Sequence, residues 1–148
     1  MYRRFAIPCC VASCCLAGVV HADQLADTKQ KGEIVIGVRV AAPNSFVDPK
    51  TGEMVGYEVD IANAVAKAIG VKSVFKPLAS AARISQLQQG NVDILAASLT
   101  HNKQREAQVD FSLTMLVTGQ KVLVIPASGG KDRQDLAGKK VWVVTGGT

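Results

Sequence analysis

The feature that most constrains this chain is a switch of hydrophobic period between residues 33 and 97. Glu33-Ile34-Val35-Ile36-Gly37-Val38 is short, β-branched and almost continuously apolar, which suits a buried strand with a glycine at a close approach. From Val59 the period lengthens. Val59, Ala62, Ala66 and Ile69 fall on one helical face, and Gly70 is placed to cap the end of that helix. Val71 to Phe75 returns to a strand pattern. Ser80 can N-cap a short helix that turns Ile84 and Leu87 inward and stops at Gly90. Val92 to Ala97 is the third apolar run. The order β-loop-α-β-α-β predicts an α/β fold, a sheet with helices on its faces.

In such sheets ligands bind beyond the carboxyl ends of the strands. The third run ends abruptly in hydroxyl residues, Ser98-Leu99-Thr100, and good helix formers follow from Lys103 to Gln108. Strand, hydroxyl loop and helix start bring together hydroxyls, free backbone N–H groups and a positive helix end. Arg105 adds a planar fork of donors. That combination suits a carboxylate; the same residues also suit a βα turn with a solvated arginine. Arg39 follows the first strand, and Ser80 with Arg83 opens the short helix, so all of these can meet at one sheet edge.

The chain has 148 residues, which predicts one domain with a sizeable core. Its 17 lysines and arginines outnumber 12 acidic residues, yet they are scattered, and only 5% of residues are aromatic. A nucleic-acid stacking surface is therefore not expected. No metal-ligand spacing is present, since His21 and His101 lie far apart, and there is no phosphate loop or nucleophile elbow. Ser128-Gly129-Gly130 reads as a linker turn. The sequence thus names no catalytic residue, metal site or cofactor.

Arg3 and Arg4 followed by the uncharged apolar run Phe5 to Val20, with Val20-His21-Ala22 at a cleavage position, read as a signal peptide over residues 1–22. Val11-Ala12-Ser13-Cys14 offers the alternative of a lipoprotein box with a lipidated Cys14. All four cysteines lie in this segment, so cleavage after Ala22 leaves none. Residues 23–32 are polar and read as a frayed, flexible N-terminus. Pro43 to Gly56 is rich in turn residues, with room for a small hairpin. Beyond Ser112 the character changes. Gln120 to Ile125 and Lys140 to Val144 read as strands, Pro126 to Lys131 as a loop and Asp135 to Gly138 as a turn. A strand running into Thr145-Gly146-Gly147-Thr148 looks like the entry to a helix that does not arrive, so the chain reads as truncated.

These residues resemble the periplasmic solute-binding proteins of polar amino-acid ABC transporters. The likeness runs in register through Gly32-Glu33-Ile34-Val35-Ile36-Gly37-Val38, Val55-Gly56-Tyr57-Glu58-Val59-Asp60-Ile61-Ala62 and Leu87-Gln88-Gln89-Gly90-Asn91-Val92-Asp93. It continues with Thr100 to Arg105, Val109-Asp110-Phe111-Ser112, Gly119-Gln120 and Asp135-Leu136-Ala137-Gly138-Lys139-Lys140-Val141. The resemblance implies a periplasmic-binding-protein-like two-lobe fold. Residues 33–116 would be most of lobe 1, and residues 117–148 a hinge strand and the start of lobe 2. It also implies that Arg105, beside Ser98 and Thr100, grips the α-carboxylate of an amino acid.

The glutamate/aspartate-binding branch of that family also uses an arginine after strand 1 and a Ser-x-x-Arg-Ile pair, here Arg39 and Ser80-Ala81-Ala82-Arg83-Ile84. Two departures stand out. Pro43-Asn44 replaces a common Pro-Phe, putting an aromatic pocket wall in doubt. Leu113-Thr114-Met115-Leu116 replaces a common Pro-Tyr-Tyr, which fits the acidic branch. The resemblance implies a monomeric periplasmic protein that binds a polar, acidic amino acid and meets the membrane only through its transporter permease. A cyclohexadienyl dehydratase on the same fold and a ligand-sensing receptor domain are the alternatives. If residues 1–22 are a cleaved signal, the exported product begins at Asp23 and contains no cysteine. Intact mass spectrometry checks this, and a lipid-modified species starting at Cys14 contradicts it.

Overall fold

The computed structural model describes residues 23–147. The signal-peptide reading of residues 1–22 and the Cys14 alternative lie outside the described residues. Three strands form a parallel sheet in the order β4-β1-β5: β1 is Glu33–Val38, β4 is Lys72–Pro77 and β5 is Ile94–Ala96. β1 is central because it is the most apolar run, with Ile34, Ile36 and Val38 all buried. It pairs along its full length with β4 and through Ile36, Gly37 and Val38 with β5. Asp93 extends the second ladder. Its carboxylate accepts from Val35 N–H at 2.7 Å, while its own N–H donates to the Val35 carbonyl at 2.8 Å. The expected glycine close approach is present at Gly37, where a Cβ would lie 2.7 Å from both Leu78 Cδ1 and Leu95 Cδ2.

Helix α2 (Tyr57–Ile69) buries Val59, Ala62 and Ala66, the two alanines against this sheet. Small alanines on the inner face let helix and sheet approach closely, and Met54, Ile69, Val71, Phe75, Ile94 and Ala96 fill in around them. Gly70 ends the helix in the left-handed conformation, as its sequence position suggests. A two-stranded hairpin, β2 (Phe46–Val47) and β3 (Met54–Val55), occupies the turn-rich segment. Helices α3 (Arg83–Gln88) and α4 (Lys103–Glu106) follow β4 and β5.

Three sequence expectations need correction. Residues 24–31 are not frayed: they form helix α1 (Gln24–Lys31), capped by the Asp23 side chain on Leu25 and Ala26 N–H and ended by Gly32. Ser80 is not the N-cap of α3. Ala82 holds that position without a side-chain cap, and Ser80 lies upstream. Finally, among the described residues, 120–125 and 140–144 are in no ladder. Leu123 is 100% exposed and Trp142 96%, so β-forming side chains without a pairing edge or an apolar face do not make a strand. Short 3₁₀ turns at Pro126–Ser128 and Gln134–Leu136 interrupt this region.

Gly56, just before α2, is the tightest backbone junction. Its φ is 127°, and a Cβ there would lie 2.5 Å from the Asn44 carbonyl oxygen and 2.7 Å from that of Pro43. The same Asn44 carbonyl accepts from Glu58 N–H at 2.9 Å, so the loop cannot retreat without losing that bond. Gly56→Ala should therefore destabilise the protein by roughly 2–5 kcal/mol, the sum of backbone strain and overpacking. Chemical unfolding measures it; a loss under about 0.5 kcal/mol, the size of an ordinary surface change, contradicts this packing.

Candidate functional site

The strand order places β1 beside β5 although α2, β4 and α3 intervene in the chain. In α/β sheets the usual ligand position is beyond the carboxyl ends of such strands. Arg39 directly follows β1, Ser98 follows β5 by two residues, and Ser80 and Arg83 follow β4.

Arg83 is the best-buried charged residue described, at 2% exposure. It is held by backbone carbonyls throughout: Nε donates to Ser80 at 2.9 Å, one terminal nitrogen to Ala97 at 2.5 Å and Ser98 at 3.3 Å, and the other to Gly146 at 2.8 Å. Arg105 is presented by α4, whose first turn is fixed by the Asn102 side chain accepting from Arg105 N–H at 2.9 Å. Its guanidinium donates to the Thr100 carbonyl at 3.0 Å and to the Gly146 and Gly147 carbonyls, each at 3.1 Å. Two guanidinium groups thus converge on one oxygen, that of Gly146. A neutral carbonyl makes weaker bonds there than a carboxylate can, since charge-assisted bonds are about twice as strong.

Arg39 and Ser80 do not reach that oxygen. They line an adjacent groove of about 530 Å³ with Ala41, Leu78 and Val144. Arg39 Nε is, among the described residues, the buried side-chain polar atom that lacks a hydrogen-bond partner. Buried donors are seldom left so. The three arginines form one electrostatic unit. Burial pulls the Arg83 guanidinium below its ordinary pKa, repulsion from Arg105 and Arg39 acts the same way, and Glu58 opposes them. A guanidinium remains charged through this range, so the repulsion is present in the folded protein.

Ser98 adopts φ 49°, an uncommon conformation for a residue with a side chain. Glu58 holds it there, accepting from Ser98 N–H at 2.6 Å and from its hydroxyl at 2.8 Å. The Ser98 oxygen accepts in turn from Asn44 Nδ2 at 3.0 Å. Its single proton is therefore already committed to Glu58, and Ser98 can only accept from a further group. Thr100 contributes its carbonyl to Arg105.

Glu58, Asn44 and Gly146 are the site residues that sequence reasoning did not single out. Asn44 drew attention only as a departure from a Pro-Phe pattern; here it is the donor that fixes the Ser98 hydroxyl. Glu58 sits in the first turn of α2, where an acidic residue already has a local explanation in the helix dipole. His101 pairs with Glu106 at 3.3 Å and stacks on Phe111 at 4.7 Å, bracing the loop around α4. Among the described residues no group of His, Cys, Asp and Glu could hold a metal ion, and no helix is long and apolar enough to cross a membrane.

The chain is thus an α/β domain with three arginines gathered at the carboxyl edge of its parallel sheet. The fold is periplasmic-binding-protein-like. Residues 34–139 match the model of the bacterial extracellular solute-binding proteins, family 3, and the chain belongs to that family. It is 37% identical over 131 residues to the ABC transporter glutamine-binding protein GlnH of Bacillus subtilis, covering 85% of this chain and 48% of the relative. It is 34% identical over 150 residues to the L-glutamate/L-aspartate-binding protein of Pseudomonas aeruginosa, covering 93% of this chain and 49% of the relative. Among solved structures it resembles an ancestral amino acid-binding protein described as a precursor of cyclohexadienyl dehydratase. There the TM-score is 0.58 and the identity 34%, over 60% of this chain and 39% of that one. The chain spans about half the length of the curated relatives it matches.

Proposed function

We propose that this chain carries the carboxylate-gripping part of an extracytoplasmic protein that binds a polar, acidic amino acid and delivers it to an ABC transporter permease. The observation that carries this reading is the convergence of Arg83 and Arg105 on a single acceptor oxygen, with Arg39 unsatisfied beside them. The α-carboxylate of the ligand takes the place of the Gly146 and Gly147 carbonyls. The adjacent groove, with Arg39 and Ser80, takes a second carboxylate on the side chain. Ser98, as an acceptor, suits the ligand's ammonium. Residues 33–116 supply this half of the site, and residues 117–148 begin the second lobe that closes on it.

The names of the relatives support amino-acid binding, and the two quoted above divide between glutamine and glutamate/aspartate. The third arginine is what favours an acidic ligand here. The reading is binding rather than catalysis. A dehydratase reading draws support from the solved neighbour's description as a precursor of such an enzyme. The two separate when the protein is incubated with a carboxylated cyclohexadienyl substrate: recovery unchanged supports binding, and loss of water from it supports the enzyme.

Arg83 braces three loops, so Arg39 and Arg105 are the informative positions for substitution. In the full-length protein, glutamate should bind more tightly than glutamine by on the order of 100-fold, the ratio expected of a site built for a specific polar pairing. Arg39→Met should remove most of that preference. Arg105→Met should weaken both ligands alike by roughly 1.5–3 kcal/mol, the loss of a charge-assisted bond. Titration calorimetry measures all six affinities. Equal binding of the two ligands by the wild type contradicts the acidic specificity, and no effect of Arg105→Met contradicts the site itself.

A further inference from the structure

We infer that Glu58 is a specificity-determining residue: it is the counter-charge that limits how strongly the arginine cluster prefers dianionic over neutral ligands. Charge and geometry both lead to this. Arg39 and Arg105 are both within electrostatic reach of Arg83, and Glu58 is the carboxylate that acts on Arg83 in the opposite sense. Glu58 is coupled to Arg83 through a single residue. Its Oε1 accepts from the Ser98 N–H and hydroxyl, while the Ser98 carbonyl accepts from Arg83. Its second oxygen lies 3.5 Å from the hydroxyl of Ser45, whose proton goes instead to the Arg39 carbonyl at 2.5 Å. Glu58 therefore touches the loops that follow both β1 and β5.

A carboxylate in that place offsets part of the cationic field at the site. It weakens the attraction for a side-chain carboxylate and leaves a neutral side chain nearly unaffected. Its removal should increase discrimination by charge. Gln is nearly isosteric, and its amide oxygen can still accept from Ser98, so Glu58→Gln separates charge from shape.

The inference rests on the amino-acid-binding reading above, and the test distinguishes the two. Glutamate and glutamine affinities are measured by calorimetry on the full-length wild type, Glu58→Gln and Glu58→Asp, at low and at physiological ionic strength. In Glu58→Gln the glutamate-to-glutamine ratio should rise on the order of 3- to 10-fold, the size of effect one unit charge has on another across a partly buried site. Added salt should shrink that rise. Glu58→Asp keeps the charge but withdraws it from Ser98, so both affinities should fall while the ratio stays within about 2-fold of wild type. An unchanged or lower ratio in Glu58→Gln overturns the inference alone. If Glu58→Gln does not fold, a shifted ratio in Glu58→Asp overturns it equally. A wild type that binds neither amino acid overturns both this inference and the reading it rests on.

Discussion

Burial of the Arg83 guanidinium beside two like charges at one sheet edge is the constraint to which the surrounding loops answer. Glu58 is the compensating carboxylate. Leaving a buried cation without partners is costly. The protein meets that demand with backbone carbonyls: Ser80, Ala97 and Ser98 each turn an oxygen toward Arg83. These carbonyls belong to chain segments leaving β4 and β5, so satisfying Arg83 fixes the loops that form the site. The electrostatic requirement and the loop geometry are one problem with one solution.

A chain of contacts carries that fixation back to the core. Ser98 stays in its left-handed conformation because Glu58 takes both of its donors, and Glu58 is placed by the first turn of α2. That turn starts where it does because Gly56 passes under the Asn44 carbonyl. The buried face of α2 rests on β1 through Ala62 and Ala66. Rigid packing therefore reaches the site through a few short polar links, while Arg105 rides on a four-residue helix with a single side-chain cap.

Local signals made much of this legible in the sequence. β1, α2 and β5 follow from hydrophobic period, and Gly70 from its place after the last periodic residue. The arginines were found because they follow strands, where topology gathers residues that are distant in sequence. The failures are physical as well. Helix α1 has no apolar periodicity and was missed by pattern, although Asp23 and Gly32 are cap residues in plain view. Segments 120–125 and 140–144 have strand composition, but a strand needs a partner edge, which composition does not encode. The Glu58–Ser98 link spans 40 residues and has no local signature. For the same reason the sequence gives no sign that the Ser98 proton is already taken by Glu58.

A crystal structure of the full-length protein with glutamate tests the central claim most directly. The account predicts one ligand carboxylate between Arg83 and Arg105 at about 2.7–2.9 Å, the range of charge-assisted bonds. The Gly146 and Gly147 carbonyls should be displaced, and the second carboxylate should reach Arg39. Glutamate bound elsewhere, with both guanidinium groups still on those carbonyls, contradicts it.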